Sequence, residues 1–458
     1  MIGLALRSLR YRLGAFAASF LALFLGAIIL MTFASMLDTA GGPAVDAAAE
    51  ETLFLMAVVV GGWGLLIVVF AVTATLTLSV RQRGQEMALL KSIGATPAQI
   101  GRMIVAESAV VALVAAALAI PLAVVGGRWL LSVLKDTGQV PAEVVPAFGG
   151  MAIGIGLGIT FTAAVVAAVI ATRRVTRLGA REALAAVALE EPRLGRLRMI
   201  AGWFFLAAGA ACGAVTAITG KGKGIEAMAT GGQTAILLSI GLALFAPVLL
   251  RVVTAVLVGP LRGAGAPGYL TTMNLRRRTH QMAGALVPII LFTGMATGTL
   301  YLQSIENSAA AAAIGGPVSA AGADMAAEAD AIETLNFVVV GMIALFAAIM
   351  LVNTLIAATI FRRQEFGRQR LVGSTPGQVL RMVGYEGIAL ALTGVLAGSA
   401  AAIAGIIPFS IARTGTVIPD QGTAIYLAVI TTATALTLAA SLTTAHRTLQ
   451  TPATQAAA

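Results

Sequence analysis

The sequence predicts an all-α integral membrane protein with about ten transmembrane helices. Of its 458 residues, 59% are hydrophobic and only 11% are charged, whereas a soluble domain carries about 25% charged residues. Ten apolar runs are each long enough to cross a bilayer as a helix, which takes about 20 residues. Strands are not expected because their backbone groups would be left unpaired in lipid. The runs are roughly Gly14–Met36, Thr52–Val80, Met103–Leu134, Phe148–Thr172, Met199–Gly220, Gly232–Val258, Met282–Leu302, Leu335–Phe361, Met382–Ala412 and Thr423–Thr443.

The basic residues predict how these runs are oriented. With the N-terminus inside, all of the 30 lysines and arginines fall on inside segments except Arg128, Lys135, Lys221, Lys223 and Arg413. The positive-inside rule favours this arrangement over its reverse. We therefore expect a multi-pass protein of the bacterial plasma membrane with both termini in the cytoplasm. Nucleic acid is not an expected partner, because the basic residues are divided among short loops.

An internal repeat predicts the domain organisation. Arg83–Glu107 aligns without a gap on Arg362–Glu386, and ten of the aligned positions are identical. We predict a four-span unit over 1–190, a two-span linker over 191–267 and a second four-span unit over 268–458. Six spans precede the second unit, so both units should have the same orientation, as in a parallel repeat.

The starts of the two units also align, with a slightly smaller offset. Leu9-Arg10 and Arg12 match Leu275-Arg276 and Arg278. The first span of each unit is therefore expected to occupy an equivalent position.

The repeated segment has the pattern of a helix, a sharp turn and a second helix. Gly94 stands where a helix end needs a positive φ. Thr96 and Gln99 are spaced for a capping box around Pro97 in the first turn of the next helix. The second copy has the same residues at Gly373, Thr375, Pro376 and Gln378. Each unit should thus have a short amphipathic helix along the cytoplasmic face.

Two interpretations of these short helices are possible. They could be ordinary interfacial connectors, held by an apolar face and arginines. A simple connector, however, gives no reason for Arg83 and Glu86 to recur as Arg362 and Glu365. Two equivalent charged surfaces instead suggest two equivalent soluble partners.

The first copy, RQRGQEMALLKSIGATPAQIGRMIVAES, resembles the signature of the FtsX-like permease family of ABC transporters, which includes the MacB-type exporters. The second copy, FRRQEFGRQRLVGSTPGQVLRMVGYEG, is a weaker match, and RRVTRLGAREALA after the fourth span resembles the family's cytoplasmic ending. The resemblance implies a coupling helix in each unit that docks on an ATPase subunit. The residues it assigns to coupling are Arg83, Glu86, Lys91, Gly94, Thr96, Pro97 and Gln99, with Arg362, Glu365, Arg370, Gly373, Thr375, Pro376 and Gln378.

The chain departs from the family pattern in two respects. Many such permeases have one four-span unit per chain and dimerise, whereas two units here imply one permease chain per complex with two copies of the ATPase. Ten-span relatives linked to antimicrobial-peptide resistance have a large extracellular domain between spans seven and eight. The segment Gln303–Thr334 that fills this place is too short for one.

The sequence contains no motif for chemistry of its own. No G-x-x-x-x-G-K-[ST] occurs, so ATP and magnesium are expected on the partner ATPase. We predict no catalytic, cofactor-binding or metal-binding residue on this chain. Glu107 and Glu386 are expected either to pair with Arg102, Arg381 or nearby arginines, or to link the coupling helix to a gate.

These observations favour a permease subunit that couples ATP hydrolysis to export or extraction of a hydrophobic or amphipathic substrate, such as a drug, an antimicrobial peptide or a lipid. One alternative is a permease that transports nothing and passes ATPase motion to a membrane partner. A proton- or sodium-coupled carrier is disfavoured because no carboxylate or histidine lies in the middle of a run. Pro121, Pro247 and Pro288 should bend their helices.

Overall fold

The computed structural model describes residues 13–43, 45–177, 195–221, 224–314, 341–342, 344–419 and 421–457. Regular structure in these ranges is helical throughout, and this confirms the predicted fold class. The amino-terminal twelve residues, most of RRVTRLGAREALA and the part of the loop beyond residue 314 lie outside the described residues.

The helices before residue 178 cover the four runs predicted for the first unit. A π-helical turn, Met56–Val60, joins the helices Ala47–Leu55 and Gly61–Gln82 into one continuous helical segment. They are α1 (Leu13–Ala40), α2 (Ala47–Leu55), α3 (Gly61–Gln82), α4 (Gly84–Ser92), α5 (Pro97–Asp136) and α6 (Gly150–Arg177).

The helices after residue 194 cover the runs predicted for the linker and the second unit, except that the start of the run Leu335–Phe361 lies outside the described residues. They are α7 (Arg196–Thr219), α8 (Gly224–Leu244), α9 (Ala246–Gly263), α10 (Gly265–Arg277), α11 (Thr279–Ile314), α12 (Ala344–Ile360), α13 (Arg363–Leu371), α14 (Pro376–Thr414), α15 (Ala424–Leu449) and α16 (Ala453–Ala457). The helices α12 and α13 meet at a bend of 40°.

Ten described helices are long and apolar enough to cross a membrane, or eleven if α12 and α13 count as one bent span. The expected number is confirmed, but one expected boundary is wrong. The run Gly232–Val258 is two helices that separate at Phe245, so Pro247 begins a helix instead of bending one. Proline suits the first turn of a helix because the missing N–H would have no partner there.

Arg198 supplies the physical reason for this break. Its Nε donates a hydrogen bond to the Leu244 carbonyl at 2.7 Å, and Nη2 donates to the Ala243 carbonyl at 3.4 Å. The last carbonyls of a helix have no partner within it, and a guanidinium can satisfy them. The beginning of α7 therefore caps the end of α8, a relationship that hydropathy cannot reveal.

The described residues form two compact units, each with its own core. Residues 13–177 belong to the first, together with 303–314 and 341–342, while 195–302 and 344–457 form the second. In the first unit Ala27 and Met31 of α1 pack on Ala116, Ala119 and Ala123 of α5. Small residues let helix backbones approach closely, as is common in membranes.

Asp38 fixes the far end of α1 to α6 in the first unit. Its carboxylate accepts hydrogen bonds from the backbone N–H groups of Gly149 at 2.9 Å, Met151 at 3.1 Å and Ala152 at 2.8 Å. A negative charge at a helix N-terminus satisfies unpaired donors and interacts favourably with the helix dipole. This cap comes from a residue 111 positions before Gly149 in the chain.

Candidate functional site

The two repeated turns have the same geometry, as the sequence predicts. Gly94 has a φ of +96° and Gly373 a φ of +107°. In the first turn the N–H groups of Gly94 and Ala95 bond to the carbonyls of Lys91 and Leu90, which is the Schellman arrangement. The second turn repeats it, with Gly373 and Ser374 bonded to Arg370 and Gln369.

Both predicted capping boxes are present. Thr96 Oγ1 accepts a hydrogen bond from the Gln99 N–H at 3.3 Å, and the Gln99 side chain accepts one from the Thr96 N–H at 2.9 Å. Thr375 and Gln378 make the same pair of bonds. Pro97 and Pro376 each lie in the first turn of a long helix, α5 or α14. Each short helix is thus held at a defined angle to the long helix that follows.

In the first unit, Arg83 joins the start of α4 to the side of α5. Its guanidinium forms an ion pair with Glu107 through Nη1, and Nη2 lies 3.5 Å from the other carboxylate oxygen. Arg83 Nε also lies 3.4 Å from Glu86 Oε2. The Arg83 guanidinium carbon lies 5.3 Å from the centroid of the Phe16 ring on α1. One largely buried arginine therefore contacts α1, α4 and α5.

In the second unit, Arg362 has the same position and more partners. It pairs with Glu386 through Nη1 and through Nη2 at 3.2 Å, and its Nε lies 3.1 Å from Glu365 Oε2. Arg278, at the end of α10, forms a second ion pair with Glu365. Asn274 of α10 donates a hydrogen bond to Glu386 at 2.8 Å. Glu365 therefore binds two guanidinium groups, and Glu386 binds one guanidinium group and one amide.

Burial and neighbouring charges shift the pKa values of Arg83, Arg362 and Glu365 in opposite directions. Burial alone would lower the pKa of Arg362, but the facing carboxylates of Glu386 and Glu365 raise it above its usual value. Burial alone would raise the pKa of Glu365, but Arg362 and then Arg278 lower it below its usual 4.5. The pKa of Arg83 is raised as well, because Glu107 and Glu86 outweigh its burial. All three groups are therefore charged at neutral pH.

The buried glutamates do not pair with the arginines that are nearest in sequence. Glu107 and Glu386 are each about 1% exposed. The ion-pair partner of each lies well before it in the chain, at Arg83 or Arg362. The expected pairing with an arginine is therefore made by Arg83 and Arg362, and Arg102 and Arg381 are not the partners. The Arg381 side chain is exposed instead.

The outward surface of each short helix contains residues that sequence reasoning missed. Ile93 is 79% exposed and Val372 is 90% exposed, and they occupy equivalent positions at the ends of α4 and α13. The glutamates are less accessible, at 39% for Glu86 and 14% for Glu365. The exposed turn beside Ile93 contains Gly94, Thr96, Pro97 and Gln99, and the one beside Val372 contains Gly373, Thr375 and Pro376.

Arg370, which the resemblance assigns to coupling, contacts the end of the chain. Its Nη1 donates hydrogen bonds to the carbonyls of Leu449 at 3.0 Å and Thr451 at 2.7 Å. The short helix α16 packs on α13 next to these bonds. Lys91, at the equivalent position in α4, and Gln378 in α14 are half-buried. Arg370 therefore positions α13 against the C-terminal segment.

The charged groups around Arg83 form one cluster and those around Arg362 form another. In both clusters, each carboxylate lies next to a guanidinium of opposite charge. Each buried carboxylate faces a guanidinium, so the clusters serve to join helices. Within the described residues, no group of three His, Cys, Asp or Glu side chains lies close enough to hold a metal ion.

The fold and the twin clusters define a multi-pass helical membrane protein with two equivalent short helices between spans. A family described as FtsX-like permease, C-terminal, matches the chain twice, over residues 58–179 and 337–453. The starts of the two matches are related by the same offset that relates Arg83 to Arg362. The chain belongs to the FtsX-like permease family. A comparison with curated proteins finds no match.

Membership of this family defines an ABC-transporter-type permease. Such permeases are the membrane component of the system, are not themselves ATPases, and generally work with ATPase partners.

Proposed function

We propose that this chain is the complete membrane part of an ABC exporter and that α4 and α13 each dock one copy of a cytoplasmic ATPase. The observation that carries this proposal is the pair of clusters centred on Arg83 and Arg362. Each cluster ties a short helix to a long span through a buried ion pair. A buried pair holds its geometry firmly because losing one partner leaves an uncompensated charge.

This connection provides a path for force. An ATPase that pushes on α4 moves Arg83, and Arg83 moves α5 through Glu107. In the second unit Arg362 acts on α14 through Glu386, and Arg278 extends the connection to α10. The long spans then transmit the displacement across the bilayer as rigid helices, because interior packing resists gradual deformation. ATP and magnesium would be bound by the two ATPase subunits and not by this chain.

The orientation in this proposal places α4, α13 and both termini in the cytoplasm of a bacterium. It also places α9 along the membrane surface. Arg251 and Arg262 lie in α9, whose buried stripe includes Leu250, Thr254 and Val258. A surface helix with one apolar stripe and cationic residues is suited to the interface. A spanning α9 would also give an odd number of crossings between the repeats and invert the second unit.

A hydrophobic or amphipathic substrate fits the interior of the spans better than a polar one. Buried hydroxyls such as Thr75, Thr393 and Thr437 bond to carbonyls of their own helices. These three groups offer little to a polar solute. Other buried hydroxyls, such as those of Thr160, Thr293 and Thr297, have no hydrogen-bond partner among the described residues, but they are dispersed neutral groups in apolar helices. We therefore propose export or extraction of a drug, an antimicrobial peptide or a lipid.

The docking proposal is tested by co-purification of the tagged chain with the ATPase encoded beside its gene. The variant Ile93→Asp plus Val372→Asp places a charge on each exposed apolar contact without touching the ion pairs. Wild type should retain two ATPase copies per chain, each single variant one, and the double variant none. Val417→Asp changes an exposed residue beyond the opposite end of α14 and should retain both copies. Full retention by the double variant would contradict docking at α4 and α13.

The substrate proposal requires a separate measurement. ATP hydrolysis by the reconstituted complex should rise when an amphipathic compound that it exports is added to the bilayer. If hydrolysis responds only to a co-expressed membrane kinase, the alternative in which the permease transmits motion is correct.

A further inference from the structure

An apolar groove opens on the side of the first unit, between α1 and α5. It has a volume of about 470 Å³ and is lined by Ile28 of α1 and by Pro121, Leu122, Val125, Gly126 and Trp129 of α5. Leu122, Val125 and Trp129 are 52%, 65% and 46% exposed. Small-molecule sites in proteins have volumes of about 300–1,000 Å³, so the groove is large enough for a ligand chain.

The repeat identifies the equivalent surface in the second unit. The helices α5 and α14 begin at the aligned prolines Pro97 and Pro376 and have nearly the same length. In this alignment, the α5 residues that line the groove correspond to Ala400, Ala401, Ala404, Gly405 and Pro408 of α14. The starts of the two units align Leu9 with Leu275. In that alignment Ile28 corresponds to Gly294 of α11.

In the second unit the hairpin of α7 and α8 covers most of this surface, and Ala400 at its edge is exposed. A Cβ on Gly405 would lie 2.9 Å from the Gly231 carbonyl of α8, and one on Gly294 would lie 2.1 Å from Ser239 Oγ. A Cβ on Gly213 of α7 would lie 3.5 Å from the Pro408 ring. Glycine and alanine on both sides allow the backbones to approach, as membrane helix interfaces generally require.

The first unit has larger residues at most of the same positions. Isoleucine, leucine and valine replace glycine and alanine, and tryptophan replaces proline. Gly126 is already packed on Thr32 of α1, where a Cβ would lie 2.6 Å from the hydroxyl oxygen. A helix could not approach this bulky surface as α8 approaches α14. A flexible alkyl chain can follow it, because its torsions adapt to an irregular apolar surface. Trp129 adds an aromatic ring of the kind enriched near membrane–water interfaces.

We propose that the groove between α1 and α5 holds the acyl chain of a membrane lipid more tightly than the open lipid-facing surface of the spans does. Bound there, the chain fills in the first unit the space that the α7–α8 hairpin fills in the second. The site lies on α1 and α5 alone and does not depend on docking of an ATPase.

Tryptophan fluorescence with brominated lipid tests this proposal. The chain has three tryptophans, and Trp63 is buried at 6% exposure while Trp203 of α7 is 63% exposed. The variant Trp203→Phe leaves Trp129 as the exposed reporter, and Trp129→Phe leaves Trp203, with Trp63 common to both. Each is purified in detergent and titrated with phosphatidylcholine that is brominated on its acyl chains.

Half of the maximal quenching of Trp129 should occur at a ratio of brominated lipid to detergent about fivefold lower than for Trp203, which corresponds to a preference of about 1 kcal/mol. Val125→Phe fills the groove and should bring the Trp129 value to that of Trp203. Val114→Phe, on an exposed part of α5 outside the groove, should leave it unchanged. Equal or weaker quenching of Trp129, or no effect of Val125→Phe, would overturn the proposal. If a membrane polypeptide co-purifies in that case, the groove binds a helix instead.

Discussion

Arg362 and Glu386 face each other across the turn that separates α13 from α14, and the guanidinium bonds both carboxylate oxygens. The pair is enclosed, because the Glu386 side chain is 2% and the Arg362 side chain 21% exposed. Asn274 of α10 binds the carboxylate as a third element. In the equivalent pair of Arg83 and Glu107, the third element is α1, which brings the Phe16 ring next to the guanidinium.

Removal of either buried carboxylate should therefore destabilise its unit. We expect Glu386→Ala to lower the free energy of unfolding by about 3–5 kcal/mol, because it leaves a buried guanidinium without its main partner. Glu107→Ala should act in the same direction but less strongly, because Glu386→Ala also removes the acceptor of the Asn274 amide. The measurement is unfolding in mixed micelles titrated with a denaturing detergent. Arg381→Gln, at an exposed position close to Glu386 in sequence, is the control and should change little.

Acid should weaken the second cluster through Glu365. The folded-state pKa of Glu365 lies below its usual 4.5 because of Arg362 and Arg278. A carboxylate with a lowered pKa contributes stability that is fully present above the unfolded-state value and is lost as pH falls through the folded-state value. The stability of wild type should thus decrease below about pH 4.5 by an amount that Glu365→Gln does not show. Parallel pH curves for the two proteins would rule out this linkage.

The turn glycines should be sensitive to an added methyl group because of backbone conformation alone. Among the described residues, no atom lies within 4 Å of a Cβ built on Gly94 or Gly373, and both glycines have positive φ. Gly94→Ala or Gly373→Ala should therefore cost about 1–2 kcal/mol of strain, and asparagine at either position should cost less. Gly377→Ala provides a matched control, because Gly377 has equal space and an ordinary helical φ. Thermal unfolding in detergent should show the control unchanged or slightly stabilised.

Sequence reasoning succeeded where structure is determined by neighbouring residues. The turn at Gly94 and the capping box that follows it depend on residues within one helical turn, so their spacing alone predicts them. The partner of Glu107 lies on another element, and its identity depends on how α4 folds back. The break at Phe245 was missed because the residues on both sides are apolar, and the Arg198 cap comes from the start of the preceding helix. Exposure of Ile93 likewise follows from packing and not from composition.

The C-terminal segment should hold the second short helix in place through Arg370. Two carbonyls, those of Leu449 and Thr451, accept hydrogen bonds from this one guanidinium. Arg370→Ala should remove both bonds, which are worth about 1.5–3 kcal/mol each when a charged donor is involved. We expect faster hydrogen–deuterium exchange of the amides over 449–457 and of α13, followed by mass spectrometry. Arg368→Ala removes an exposed arginine from the same helix and should leave exchange unchanged. Equal amide exchange in the two variants would show that apolar packing, and not Arg370, holds α16. Arg370 would then be free to contact the ATPase, as the family resemblance implies.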